Sequence, residues 1–165
     1  MIRWQAQGRK KLFAMLSEGT SAKRPWEGVC GNPFELPMNV DGAHMNMTDK
    51  YVDGFVIPVP AKNIEVYKQF SAKAGAIWKE HGALEYIECV ADDVKPGKVT
   101  SFPQAVKLEG DEVVVFSWII YQSREDRDRV NAAVMSDSRL EMDPQAMPFD
   151  GKRMFWGGFK VLLAT

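Results

Sequence analysis

Cysteine and histidine are nearly missing from this 165-residue chain, which has two of each. Cys30 and Cys89 lie far apart and show neither CxxC nor Cys/His ligand spacing, which argues against a disulfide framework and a structural zinc site and points to a reducing cytoplasm. Neither sign of charge is in surplus, with 21 Lys and Arg against 22 Asp and Glu. Such a balance disfavours a polyanion, nucleic acid included, as the main partner. No apolar run approaches the roughly 18 residues that a membrane-spanning helix needs. What is present, a 45% hydrophobic composition, suits one globular domain with a core of its own.

Charge is unevenly placed along the chain. Residues 1–46 carry six bases and four acids, whereas 47–165 carry fifteen bases and eighteen acids. Pro25, Gly28, Gly31, Pro33, Pro37 and Gly42 interrupt any long element in the first part, so mostly irregular chain is expected there. Its first 17 residues are basic and lack acids, as in some targeting segments, but no apolar core of a secretory signal follows. The preferred account is an over-called start, because Met45 and Met47 stand just before the first convincing strand.

A regular pattern begins at Tyr51. Tyr51–Val59 is a β-rich run ended by Pro58 and Pro60. Asn63–His81 then sets Ile64, Tyr67, Phe70, Ala74, Ile77 and Trp78 at helical steps and stops at Gly82. Leu84–Val90 reads as a second strand, Ala105–Leu108 as the start of a third, and Val113–Tyr121 as the strongest strand of the chain. Ser123 has the chemistry of a helix N-cap, which predicts a second helix over Arg124–Met135. The last strand is expected from Arg153 to Leu163, with a bulge or a close backbone approach at Gly157-Gly158.

This order, βαββαβ, predicts an α+β ferredoxin-like antiparallel sheet with two helices on one face. The run from Val113 to Ile120 is apolar at both alternating positions, so the second face needs a cover. With no further element apparent to supply it, the expectation is a homodimer joined through the open sheet face.

Tyr51-Val52-Asp53-Gly54-Phe55, Gly82-Ala83-Leu84, Glu88-Cys89, Gly97-Lys98-Val99-Thr100, Val114 to Trp118, Met135-Ser136-Asp137, Met147 to Met154 and Gly157-Gly158-Phe159 together resemble the YbaA-like family, an uncharacterised bacterial family. The likeness covers essentially residues 50–163. It implies the dimeric α+β barrel form of the ferredoxin-like fold. It implies no established reaction.

Six residues are candidates for a ligand pocket. Around the turn at Gly151, Asp150, Lys152 and Arg153 bring a carboxylate and two cations together, either to hold an anionic group or to pin the strand that follows. Asp53, inside an apolar strand, would have a raised pKa if it faced a barrel interior, or would pair with Lys152 or Arg153 at the rim. Trp118 and Phe149, with Tyr121 and Trp156, are aromatic candidates for walls, and equally for core or interface. Cys89 is expected to be buried and inert, and His81 to serve the C-terminus of the first helix. No nucleophile, base and orienting group assemble, and no metal or cofactor is expected. The reading is a dimer that binds or converts a small organic molecule without a cofactor, or else a non-catalytic interaction module. RNA binding through the sheet is weaker, since the aromatic and basic sheet motif is missing.

Overall fold

The computed structural model describes residues 47–140 and 146–165, within the unit Asn46–Thr165. The expectations for 1–46, the irregular leader, the targeting segment and the alternative starts, lie outside the described residues apart from Met47 itself.

Strand β1 spans Tyr51–Pro60 and is followed by helix α1, Ile64–His81, and strand β2, Glu85–Val90. A single helical turn, α2, Phe102–Ala105, precedes strand β3, Glu112–Tyr121. Helix α3, Arg124–Met135, and strand β4, Phe155–Lys160, complete the order. The strands form one sheet in the order β2-β3-β1-β4 with every neighbouring pair antiparallel, which is the ferredoxin-like arrangement.

Local chemistry sets the ends of the helices. Gly82 takes a left-handed φ of 114° at the end of α1, a conformation that costs glycine nothing. The Ser123 hydroxyl accepts the Asp126 N–H at 3.1 Å and caps α3. His81 ends α1 as expected, and its Nε2 lies 2.9 Å from Asp137 Oδ2, which ties that end to the segment after α3.

Side chains alternate across the sheet. Asp53, Phe55, Ile57 and Val59 of β1 align with Ile119, Ser117, Val115 and Val113 of β3 and face the helices. There Ile77, Ala83, Ile119, Tyr121, Val130 and Val134 form one buried cluster, and Ile57, Val59, Tyr67 and Val115 another.

Four expectations need correction. Ala105–Leu108 is not a strand: Ser101 caps the α2 turn, and Val106 is wholly buried against Val56 and Val114. Because Val56 and Val114 point away from the helices, this segment covers one end of the second sheet face, which therefore has a partial cover within the chain. β1 runs through Pro58 to Pro60, since β4 pairs only as far as Val56 and leaves one side of β1 free of a ladder there. β4 ends at Lys160, before Leu163.

The expected feature at Gly157-Gly158 is a close approach and no bulge. The register Gly54↔Gly157 and Asp53↔Gly158 is unbroken. A Cβ on Gly158 would stand 2.5 Å from the Tyr51 hydroxyl oxygen.

Candidate functional site

Strand alternation distributes the six candidate residues over three places. Asp53 faces the helices, Trp118 faces the opposite side of the same sheet, and Phe149, Asp150, Lys152 and Arg153 belong to the segment before β4. They do not line one pocket.

Asp53 is 2% exposed. Its Oδ2 accepts the Asn131 side-chain N–H at 3.2 Å, and its Oδ1 lies 3.4 Å from Arg127 Nη1. The cation beside Asp53 is thus Arg127, not Lys152 or Arg153, because β1 turns this side chain toward α3, where Arg127 and Asn131 stand one turn apart. Asn131 Oδ1 also accepts from Trp78 Nε1 at 3.1 Å and from the Tyr121 hydroxyl at 3.0 Å. Burial pushes the Asp53 carboxyl above its ordinary value, against the opposing pull of Arg127 and Asn131.

Arg153 makes a fork to Glu112 at 2.7 and 2.6 Å, reaches Asp150 at 2.9 Å and donates to the Lys107 carbonyl at 2.9 Å. Lys107 has a φ of 50°, an uncommon conformation for a residue with a side chain, and the Arg153 contact holds that turn. The Lys152 backbone N–H donates to Asp150 Oδ1, while its side chain is exposed. Hydrogen bonds from Arg153 hold both the Glu112 and Asp150 carboxyls below their usual range. Every charge of this fork is engaged by another part of the fold. Its effect is to fix the segment that carries Phe149, whose ring meets Tyr67 edge-on at 5.7 Å and Phe70 at 6.2 Å.

A second carboxyl, half-buried, was not singled out from sequence. Glu88 on β2 accepts the Tyr67 hydroxyl at 2.8 Å on Oε2 and the Tyr86 hydroxyl at 2.9 Å on Oε1. Tyr67 comes from α1, and Tyr86 stands two residues before Glu88 on the same strand face. Burial pushes Glu88 up, with the Tyr67, Tyr86, Ser71 and Ser117 hydroxyls opposing the shift. The same burial raises both tyrosines. The legible signal was Tyr67, Ser71 and Gly75 at four-residue steps on α1, opposite the alternating Tyr86 and Glu88.

On the sheet face away from the helices, Val52, Gly54, Val56, Phe116, Trp118, Phe155 and Phe159 line a trough of about 520 Å³. Phe159 is 61% exposed, Phe155 44% and Phe116 41%, an amount of bare aromatic surface unusual for a monomer. Cys89 also lies on this side, aligned with Phe116, and is exposed, contrary to the expected burial. β2 is an edge strand of the sheet.

Among the described residues no cluster of His, Cys, Asp and Glu is arranged to hold a metal ion, and no helix is long and apolar enough to cross a membrane.

Among solved structures, the fold is similar to SnoaB, a cofactor-independent oxygenase from Streptomyces nogalater, with a TM-score of 0.40, 11% identity and 70% and 96% of the two chains covered. It is also similar to an uncharacterised NIPSNAP-like domain protein from Burkholderia xenovorans, with a TM-score of 0.43, 11% identity and 72% and 90% covered. At these values neither likeness transfers an activity. Sequence relatives are much nearer: the uncharacterised protein YbaA of Escherichia coli K12 is 54% identical over 114 residues, 69% of this chain and 97% of the relative. YbaA of Shigella flexneri shows the same identity and coverage. Residues 50–151 match the family described as a protein of unknown function, DUF1428. On both counts the chain belongs to the DUF1428, or YbaA-like, family.

Proposed function

We propose that the chain acts as a homodimer that binds a small organic molecule on the helix-facing side of each sheet, without a cofactor, in the reducing cytoplasm. The observation that carries the ligand half is the pair of carboxyls, Asp53 and Glu88, both raised by burial on one sheet face. Arg127 stands 3.4 Å from Asp53 Oδ1, and the buried Ser71 hydroxyl is among the groups that face Glu88. Perturbed carboxyls concentrate where proteins bind or convert ligands. Asp53 supplies a polar group of this site and Phe149 a wall. Asp150 and Arg153 serve it indirectly by fixing the segment that holds Phe149, and Lys152 contributes through its backbone.

The dimer half rests on the open face. Trp118, Phe116, Phe155 and Phe159 form a continuous apolar trough, and a second copy offers the same trough in return, so two apolar surfaces are covered by one twofold contact. This face also favours a second reading, a dimeric interaction module with no ligand, in which both carboxyl clusters only brace the fold.

Native mass spectrometry of untagged protein from its own cells decides between them. A dimer with a reproducible added mass supports the ligand reading. A dimer that stays free of added mass across preparations favours the interaction module, and a monomer at micromolar concentration removes the dimer from both.

A further inference from the structure

We propose that two copies of the chain meet end for end: the raised end of each open sheet face, built by residues 99–108, lies against residues 161–163 of the other copy. This rests on the dimer half of the reading above and names the parts of the partner that complete it.

The open face is not level. At one end of it Val106 is wholly buried against Val56 of β1 and Val114 of β3, and the Phe102 ring lies 5.9 Å from that of Phe116. β1 and β3 are the two middle strands of the sheet, so the α2 segment stands over the middle of the face and not at its edge. It is also tied down. Arg153 donates to the Lys107 carbonyl at 2.9 Å while its fork grips Glu112 at the start of β3. This end of the face is therefore a fixed step.

A step of that kind limits how a second sheet can be laid on the face. Packed sheets lie about 10 Å apart, and a segment resting directly on one sheet fills the layer that the other would occupy. The second sheet must stop where the step begins. A twofold axis between the two faces runs either along the strands or across them. With the axis along the strands, both steps come to the same end, and each stands where the middle strands of the other copy have to lie. With the axis across the strands, the steps fall at opposite ends and the two troughs overlap between them. Each step then passes the far end of the other sheet, where Tyr51 is in register with Tyr121 and Lys160.

The exposed side chains fit the second arrangement. The step and the loop leading to it carry Phe102, 47% exposed, and Val99, 94% exposed. Past the far end, where β4 finishes at Lys160, Leu162 is 96% and Leu163 75% exposed. Both groups are apolar, and within one subunit the length of the trough separates them. In a twofold contact, residue i of one copy meets residue j of the other and j meets i, so a single end-for-end arrangement brings both groups together twice. Apolar surface leaves water at each end as well as in the trough between them.

Thiol cross-linking of the full-length chain reads the arrangement. In a C30S, C89S background, V99C and L163C each place one thiol at an exposed position. The two singly substituted proteins are mixed, allowed to exchange subunits and treated with a short bismaleimide. Thiols held side by side react at a raised effective concentration, so cross-linked dimer should form at least about tenfold faster in the mixture than in either protein alone. Cross-linking of V99C alone or L163C alone as fast as in the mixture would put like ends together and overturn the proposal. Sedimentation of the same proteins separates this inference from the reading beneath it. Dimers that give no cross-link in the mixture end the end-for-end contact alone, and monomers at micromolar concentration remove the dimer with it.

Discussion

The ring of Tyr86 occupies the space of the side chain that Gly75 lacks: a Cβ on Gly75 would lie 2.7 Å from Tyr86 Cδ1 and 3.0 Å from its Cγ. Both atoms are at the base of the ring, so the clash cannot be relieved by moving the far end of the side chain. G75A gains about 1 kcal/mol of helix propensity but meets an overpacking cost of about 1–3 kcal/mol. We expect net destabilisation in urea unfolding, and loss of the Tyr86 contact with Glu88. A variant more stable than wild type would show that the ring has room to retreat.

Glu88 should make stability depend on pH in a definite direction. Its folded pKa is raised above the usual glutamate value, so its contribution is fully present below that value and is lost as pH rises through the folded pKa. E88Q, which imitates the neutral acid, should flatten this part of the profile and be closest to wild type, or above it, at alkaline pH. Urea midpoints measured from pH 4 to 9 check this, and parallel profiles for the two proteins would remove the assignment.

The fork at Arg153 carries the opposite sign. Glu112 and Asp150 are held below their usual values by Arg153, so their contribution is present above the unfolded pKa and lost as pH falls through the depressed ones. R153A should lower the unfolding midpoint at neutral pH and lose part of the acid-side slope. R153K, which cannot span both Glu112 oxygens, should restore only part of it. Full recovery by lysine would reduce the fork to a simple charge contact.

An aspartate in the apolar trough should split the proposed dimer. F159D sets a charge on an exposed aromatic position away from both carboxyl clusters, where it should leave the subunit folded. Burying that charge should weaken association by at least about 100-fold, or about 3 kcal/mol. Sedimentation of wild type and F159D at equal concentrations reads the change, and an unaltered mass would move the interface elsewhere.

Residues 47–165 should fold without the first 46. The YbaA relatives align over 114 residues and 97% of their length, and Asn46–Thr165 is a compact unit in itself. Fragment 47–165 should match the full chain in its cooperative unfolding transition. A fragment that fails to give one would assign residues 1–46 a part in the fold.

The order of elements was open to sequence reading because it depends on local signals. Ser123 before two acids set the start of α3, Gly82 set the end of α1, and the β-rich apolar run of Val113 to Tyr121 marked β3. Ala105–Leu108 misled because a short apolar run does not distinguish a strand from an anchor. Val106 is apolar in order to plug the sheet face beside Val56 and Val114, a contact with residues far off in the chain.

The site depended on distance in space. Asp53 was visible as a carboxylate out of place in an apolar strand, but only the register of β1 with β3 and the placement of α3 made Arg127 its partner. Glu88 looked like an ordinary strand residue, since the tyrosine on α1 that completes its clamp is 21 positions away. Sequence by itself determined which segments coil and which extend, because caps, turns and apolar periodicity act over a few residues. Tertiary structure alone decided which charges meet, because the sheet's alternation sends neighbouring side chains to opposite faces and brings distant ones together.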